Sequence, residues 1–167
     1  MLSPSLLGRL TGQLDALGAI LRDASDAVLR SRAAGGAWSA HENLAHLARV
    51  QEVLFGRLDL ILAQDRPALK RYRAEEDPEW PAWAALPPRE ALDRLRRRRT
   101  ELVARVSGLT PEQARRTGVH SRFGEMDVAA WLEFFLVHEA HHLYVVMLRL
   151  FEARKIAAAS PSPPGRD

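Results

Sequence analysis

The sequence predicts an all-α protein, a four-helix bundle with a long crossover loop between its second and third helices. Three observations predict it. Residues 127–154 run without Pro or Gly, and Trp131, Phe135, His138, His142 and Val145 share one line at helical spacing, the stripe a helix buries in a bundle core. Ser39 with Glu42 three residues on is a capping box in front of a second such run. Leucines at helical spacing in residues 4–31 and 89–106 supply two more walls.

Taken in order, Ser3 caps a helix whose first position is Pro4, and Leu6, Leu10, Leu14, Leu17, Leu21 and Val28 give it an apolar face to about Ser31. Gly35 and Gly36 end it, and Trp38 precedes the next cap as a hydrophobic staple would. The second helix spans residues 40–64 and turns His46, Val50, Val53 and Leu54 inward. His41 lies about 140° from His46, on a solvated first turn. Residues 65–88 hold Pro67, Pro78, Pro81, Pro87 and Pro88 and read as a connection, not a helix. Extended, such a segment reaches about 70 Å, longer than a helix of about 25 residues, so an up-down-down-up order is open to the chain. Trp80 and Trp83 within it are expected to pack over the bundle end, the site or a subunit contact.

The third helix begins near Arg89 and carries Leu92, Leu95, Leu102 and Val106 inward. Thr110 and Gln113 start a short helix that Gly118 stops, residues 119–125 read as an ordered loop, and Asp127 caps the last helix. A single domain over residues 1–155 and a disordered tail over residues 156–167, rich in Ala, Ser and Pro, complete the expectation.

Composition narrows the chemistry. A chain of 167 residues buries about two thirds of its unfolded surface, so it needs no metal merely to fold. It has no cysteine, which excludes thiolate ligands, a disulfide and a cysteine nucleophile; thiol chemistry would require a thiol brought by the substrate. The pI near 9.9 reflects 24 Lys and Arg nearly balanced by 21 Asp and Glu. The arginines Arg96, Arg97, Arg98 and Arg99 spread around their helix among carboxylates, so nucleic-acid binding is not expected. No apolar run approaches a membrane span, and the N-terminus has no basic region followed by an apolar core. A soluble, cytoplasmic protein without a membrane partner is expected.

The histidines carry the candidate site. His138 and His142, one turn apart on the core stripe, converge on one point, half of a divalent-metal site. A third ligand must come from another helix, and His46 on the inner line of the second helix is the candidate, although a lone core histidine bonded to a carbonyl is commoner than a ligand. Glu42 and Glu139 are candidate acceptors behind the ligand rings, and so is His141, which points about 60–100° away from the pair. Arg99 falls on the apolar line of the third helix, where it could reach a substrate anion; Arg116 and Arg122 lie before the fourth helix and could do the same.

These residues carry a resemblance. Trp38-Ser39 with Glu42 and His46, then Arg116, His120 and Gly124, then His138-x-x-x-His142 before a hydrophobic run, resemble the DinB/YfiT-like superfamily of bacterial four-helix-bundle proteins, over nearly the whole chain in order and length. The sequence departs from many members at Leu143-Tyr144-Val145, where they carry Gly-Gln or Ala-Gln. The resemblance implies a metal held by His46, His138 and His142, a place for His120 near the site, and a homodimer. It implies two activities: transfer of a low-molecular-weight thiol such as bacillithiol or mycothiol to an electrophile, or metal-assisted hydrolysis of a small molecule. A non-catalytic, DNA-damage-inducible metal-binding module is the alternative. Three neutral histidines suit Zn by ligand type, with Ni, Fe and Mn nearly as well matched. No carboxylate is placed as a general base, so the expected nucleophile is a water or a thiol activated by the metal.

Overall fold

The structure, a computed structural model, describes residues 1–159. Four walls form the bundle: α1 (Pro4–Gly12) continuing through a 3-10 turn into α2 (Ala16–Ile20), then α4 (Ala40–Ala63), α6 (Pro88–Ser107) and α8 (Val128–Ala159). The first wall was expected to run unbroken to Ser31. Instead Asp23 adopts φ 60°, and Ser25 caps a separate short helix, α3 (Asp26–Arg30), by accepting from the Val28 N–H. Leu14, Leu17 and Leu29 remain buried, because the apolar face survives the backbone break.

The expected connection of residues 65–88 is not devoid of helix. It contains strand β1 (Ala68–Leu69), a 3-10 turn at Ala74–Glu76 and α5 (Trp80–Ala85), in which Pro81 occupies the first turn, where its missing N–H has no helical partner to lose. After α7 (Pro111–Arg115), whose Thr110 and Gln113 close a capping box, the ordered loop expected over residues 119–125 is part of a β-hairpin. Strands β2 (Thr117–His120) and β3 (Gly124–Asp127) pair antiparallel, and β1 adds to β2 in parallel. Gly118 is needed there: a Cβ would lie 2.9 Å from side-chain carbons of both Ile61 and Leu69. Asp127 caps α8 by accepting from the Ala130 N–H at 2.8 Å. Helix α8 continues to Ala159, past the expected start of the tail at residue 156; the rest of the expected tail lies outside the described residues.

Side-chain pairs fix the helix directions. Glu52–Arg98 and Asp59–Arg105 keep the same offset of 46 residues, so α4 and α6 run parallel and residues 64–87 return the chain to the end where α4 began. Arg9–Glu133 and Arg22–Arg154 run in step between the first wall and α8, whereas His46 meets His138 and Arg57 meets Trp131 in opposite order. The order is therefore up-down-down-up. Two apolar clusters fill the bundle, one around Leu58, Leu102 and Leu132, the other around Leu44, Leu95 and Val146. A buried polar group joins three walls: Arg99 of α6 donates to the Glu139 carboxylate of α8 and, at 2.9 Å, to the Leu10 carbonyl, while Gln13 donates to Glu139 at 2.8 Å. No helix is long and apolar enough to cross a membrane among the described residues.

Candidate metal centre

The capping box starts the geometry. Ser39 accepts from the Glu42 N–H at 3.1 Å and Glu42 accepts from the Ser39 N–H at 2.9 Å, which sets the phase of α4 and turns Asn43 and His46 toward α8. Opposite them stand His138 and His142. A nitrogen of each of the three imidazoles lies within 4.8 Å of the others. His46 Nε2 and His138 Nε2 are 3.3 Å apart, and the His142 ring centre is 4.5 Å from each of the other two. Two imidazole nitrogens bound tetrahedrally to Zn at about 2.0–2.1 Å would be separated by roughly 3.3 Å, the spacing at which His46 and His138 already stand.

Asn43 decides the chemistry of His142. His142 Nδ1–H donates to Asn43 Oδ1 at 2.8 Å, and the amide is oriented by its own donation to the Ser39 carbonyl at 2.8 Å. The proton is thus held at Nδ1 and the Nε2 lone pair is left free. His46 and His138 carry buried Nδ1 atoms with no hydrogen-bond partner, and their Nε2 atoms face each other at hydrogen-bond distance, so each ring meets the other imidazole and not a carbonyl or an amide. Burial, and then the neighbouring His138, push His46 down to about 3. His138 is pushed down to about 4 by burial, then by His141 and Arg57, and His142 to about 2 by burial, then by the other histidines. All three are therefore neutral near pH 7, the form that ligates a metal.

Aromatic side chains close the cluster on one side. Trp38 lies 5.1 Å from the His46 ring and 4.9 Å from Trp80, and Tyr72 stacks on His46 at 5.7 Å. The Tyr72 hydroxyl donates to Asp77 at 3.0 Å and Arg49 of α4 pairs with the same carboxylate, which ties the 64–87 connection to the bundle. His46 and His138 also border a cavity of about 280 Å³. Its walls are Val50, Leu54, Trp131, Phe134 and Phe135, with Arg57, Arg71, Tyr72, His120, Arg122 and Phe123 around them. Among the described residues no carboxylate lines it.

Several expected site residues are used elsewhere. His41 is not solvated: it is buried at 1% exposure, with Nε2 at 3.0 Å from the Ala84 carbonyl, because α5 covers the first turn of α4. Glu42 stands behind no ligand ring, being held by the capping box and by Arg32. Glu139 faces away from the cluster and belongs to Arg99 and Gln13. His141 is exposed, edge-on to His142 at 5.2 Å, and makes no hydrogen bond to it. Arg99, 4% exposed and paired with Glu139, does not border this cavity. Arg116 donates to the Ile61 and Gln64 carbonyls and so caps the end of α4. His120 and Arg122 do border the cavity. His120 is fixed by accepting at Nδ1 from the Arg122 and Phe123 N–H groups, which leaves its proton on Nε2.

Sequence reasoning missed Asn43, Arg57, Arg71 and Tyr72. Signals existed for two of them: Asn43 stands three residues before His46, and Arg57 continues the line His46, Val50, Val53. Arg71 and Tyr72 come from a segment without periodicity.

A family model described as the DinB superfamily matches residues 9–146. A protein of Oceanobacillus iheyensis named "Putative metal-dependent hydrolase OB0413" is 27% identical over 139 residues, spanning 80% of this chain and 77% of that protein. Among solved structures, "YfiT from Bacillus subtilis is a probable metal-dependent hydrolase with an unusual four-helix bundle topology" matches with a TM-score of 0.72 at 19% identity, over 96% of this chain and 92% of that one. "TT2238, a four-helix bundle protein" matches with a TM-score of 0.60 at 29% identity, over 85% of this chain and 94% of that one.

Proposed function

The chain belongs to the DinB superfamily, and from that membership we propose that it is an enzyme dependent on a divalent metal held by His46, His138 and His142. One observation carries the reading: three neutral imidazoles converge, and two of them border a cavity large enough for a small molecule. A structural site would be closed by four ligands, whereas this group has three. Bound there, the ion supplies Lewis acidity, lowering the pKa of a water or thiol that takes its open position. The chain's own residues do the rest. Asn43 holds the His142 proton away from the metal side, and Trp38 and Trp80 pack against the cluster and exclude water there. His120 presents a fixed Nε2–H donor.

The finer reading is thiol transfer. It is supported by the lack of any carboxylate at the cavity to serve as general base and by the lack of cysteine in the chain. Zn is the metal best matched to the donor set. The second reading, hydrolysis, is favoured by the name of the Oceanobacillus relative and by His120, a donor for a developing oxyanion. The test is consumption of monochlorobimane by the metal-loaded protein with bacillithiol, mycothiol, glutathione or cysteine, compared with His142→Ala. Turnover with one thiol that is lost in the variant is expected. No consumption above background with any of them removes thiol transfer, and a rate unchanged in His142→Ala removes the metal from catalysis.

A further inference from the structure

Many arginines of the bundle face a carboxylate: Arg9, Arg49, Arg98 and Arg105 each pair with one, and the buried Arg99 pairs with Glu139. The three at the cavity do not. Among the described residues, Arg57 donates only to the Lys70 carbonyl and lies over Trp131 at 5.2 Å, Arg122 lies over Phe123 at 5.8 Å, and neither they nor Arg71 meets an acid. They come from three different segments, α4, the residues after β1 and the β2–β3 turn, and still converge. His120 feels all three: after burial, Arg57, Arg71 and Arg122 are the charges that hold its imidazole below its ordinary pKa. His120 itself presents a donor, because both neighbouring N–H groups occupy Nδ1. The cavity thus gathers three cations and a neutral donor with no compensating negative charge.

Apart from His46, His138 and Tyr72, the rest of the wall is apolar. Trp131, Phe134 and Phe135 of α8 and Val50 and Leu54 of α4 line it, with Phe123 at the rim. We infer that this cavity takes a small organic carboxylate with an aromatic or branched apolar body, its anionic end between Arg57, Arg71, Arg122 and the His120 Nε2–H, its body on Trp131, Phe134 and Phe135. As a statement about substrate this rests on the enzyme reading above; as a binding site it rests only on the arginines. Guanidinium groups match a carboxylate with paired donors, and a charge partly removed from water makes each contact stronger. The cavity of about 280 Å³ sets the size near the lower end of ligand pockets.

The test is calorimetric titration of 3-phenylpropionate, 3-phenylpropan-1-ol and acetate into metal-free and metal-loaded protein at low salt. The metal-free protein is expected to bind the acid about tenfold or more tightly than the alcohol, as charge-assisted contacts imply, and acetate more weakly than 3-phenylpropionate. Arg71→Gln/Arg122→Gln, at exposed positions where the fold tolerates change, is expected to erase the preference, and Arg57→Gln to reduce it. Equal affinity for acid and alcohol, a preference unchanged in these variants, or no binding up to about 5 mM overturns the inference. So does binding that requires metal and ignores the arginines, since the carboxylate would then sit on the ion. Arginine-dependent binding by a protein that takes up no metal would support the site while removing the enzyme reading.

Discussion

Asn43 does for His142 what no carboxylate among the described residues does: it fixes the tautomer with a neutral acceptor, itself only 2% exposed. Replacing it by Ala leaves a ligand ring unoriented, and metal affinity is expected to fall about 10–100-fold. Competition against a chromogenic chelator measures this, and an unchanged affinity would contradict the role. His41 provides the contrast, a buried histidine bonded to the Ala84 carbonyl; His41→Ala is expected to lower stability by about 1–3 kcal/mol and leave metal content intact. The three site histidines also set a pH dependence. Their folded pKa values of about 3, 4 and 2 lie below the ordinary imidazole value of 6.5, so unfolding takes up protons. Stability of the metal-free protein is therefore fully present above about pH 6.5 and falls as the solution is acidified toward pH 4, by up to about 1.4 kcal/mol per pH unit for each histidine. Urea melts across that range, beside His46→Gln, give the slope; a flat wild-type profile would refute the assignment.

Helices were legible from the sequence where the signal is local. The Ser39–Glu42 and Thr110–Gln113 capping boxes and the stripe through His138 and His142 are each written within one or two turns, and α4, α7 and the start of α8 follow them. What stayed hidden depends on partners far away in the chain. The pairing of Ala68 with Val119 joins two short segments with no alternating pattern, so residues 119–125 read as loop. The partner of Arg99 is 40 residues away on α8, and without it an inward arginine looks like a ligand-binding group. Arg57 was visible on the inner line of α4, yet only the fold brings Arg71 and Arg122 to the same cavity. Two element-level outcomes follow. Arg99→Met strips Glu139 of its cation while burial already pushes that carboxyl up, and should cost about 3–5 kcal/mol, with most of it recovered in Arg99→Met/Glu139→Leu. Gly118→Ala presses a methyl into Ile61 and Leu69 and should cost about 1–3 kcal/mol. Denaturant melts check both; a neutral Arg99→Met would mean that the polar group does not organise the three walls.

At the scale of the molecule, the tryptophans of the connection are not free for a partner. Trp83 is 9% exposed and Trp80 packs on Trp38, so the expected homodimer needs another face. Val137, Tyr144, Leu148 and Phe151 line one side of α8 and are exposed, a stripe of the kind that pairs with a second copy. Light scattering at micromolar concentration is expected to give twice the chain mass of 18.7 kDa, and Tyr144→Glu/Phe151→Glu to halve it; the monomer mass in the wild type would contradict the pairing. The bundle itself does not depend on the metal, since its two apolar clusters and the Arg99–Glu139 group hold all four walls, so loss of a ligand should empty the site without unfolding the chain. Elemental analysis of the purified protein and four single variants is the most direct test. One divalent ion per chain is expected in the wild type, in His41→Ala and in His141→Ala, and none in folded His46→Ala or His138→Ala; equal metal content in all five proteins would contradict the metal centre.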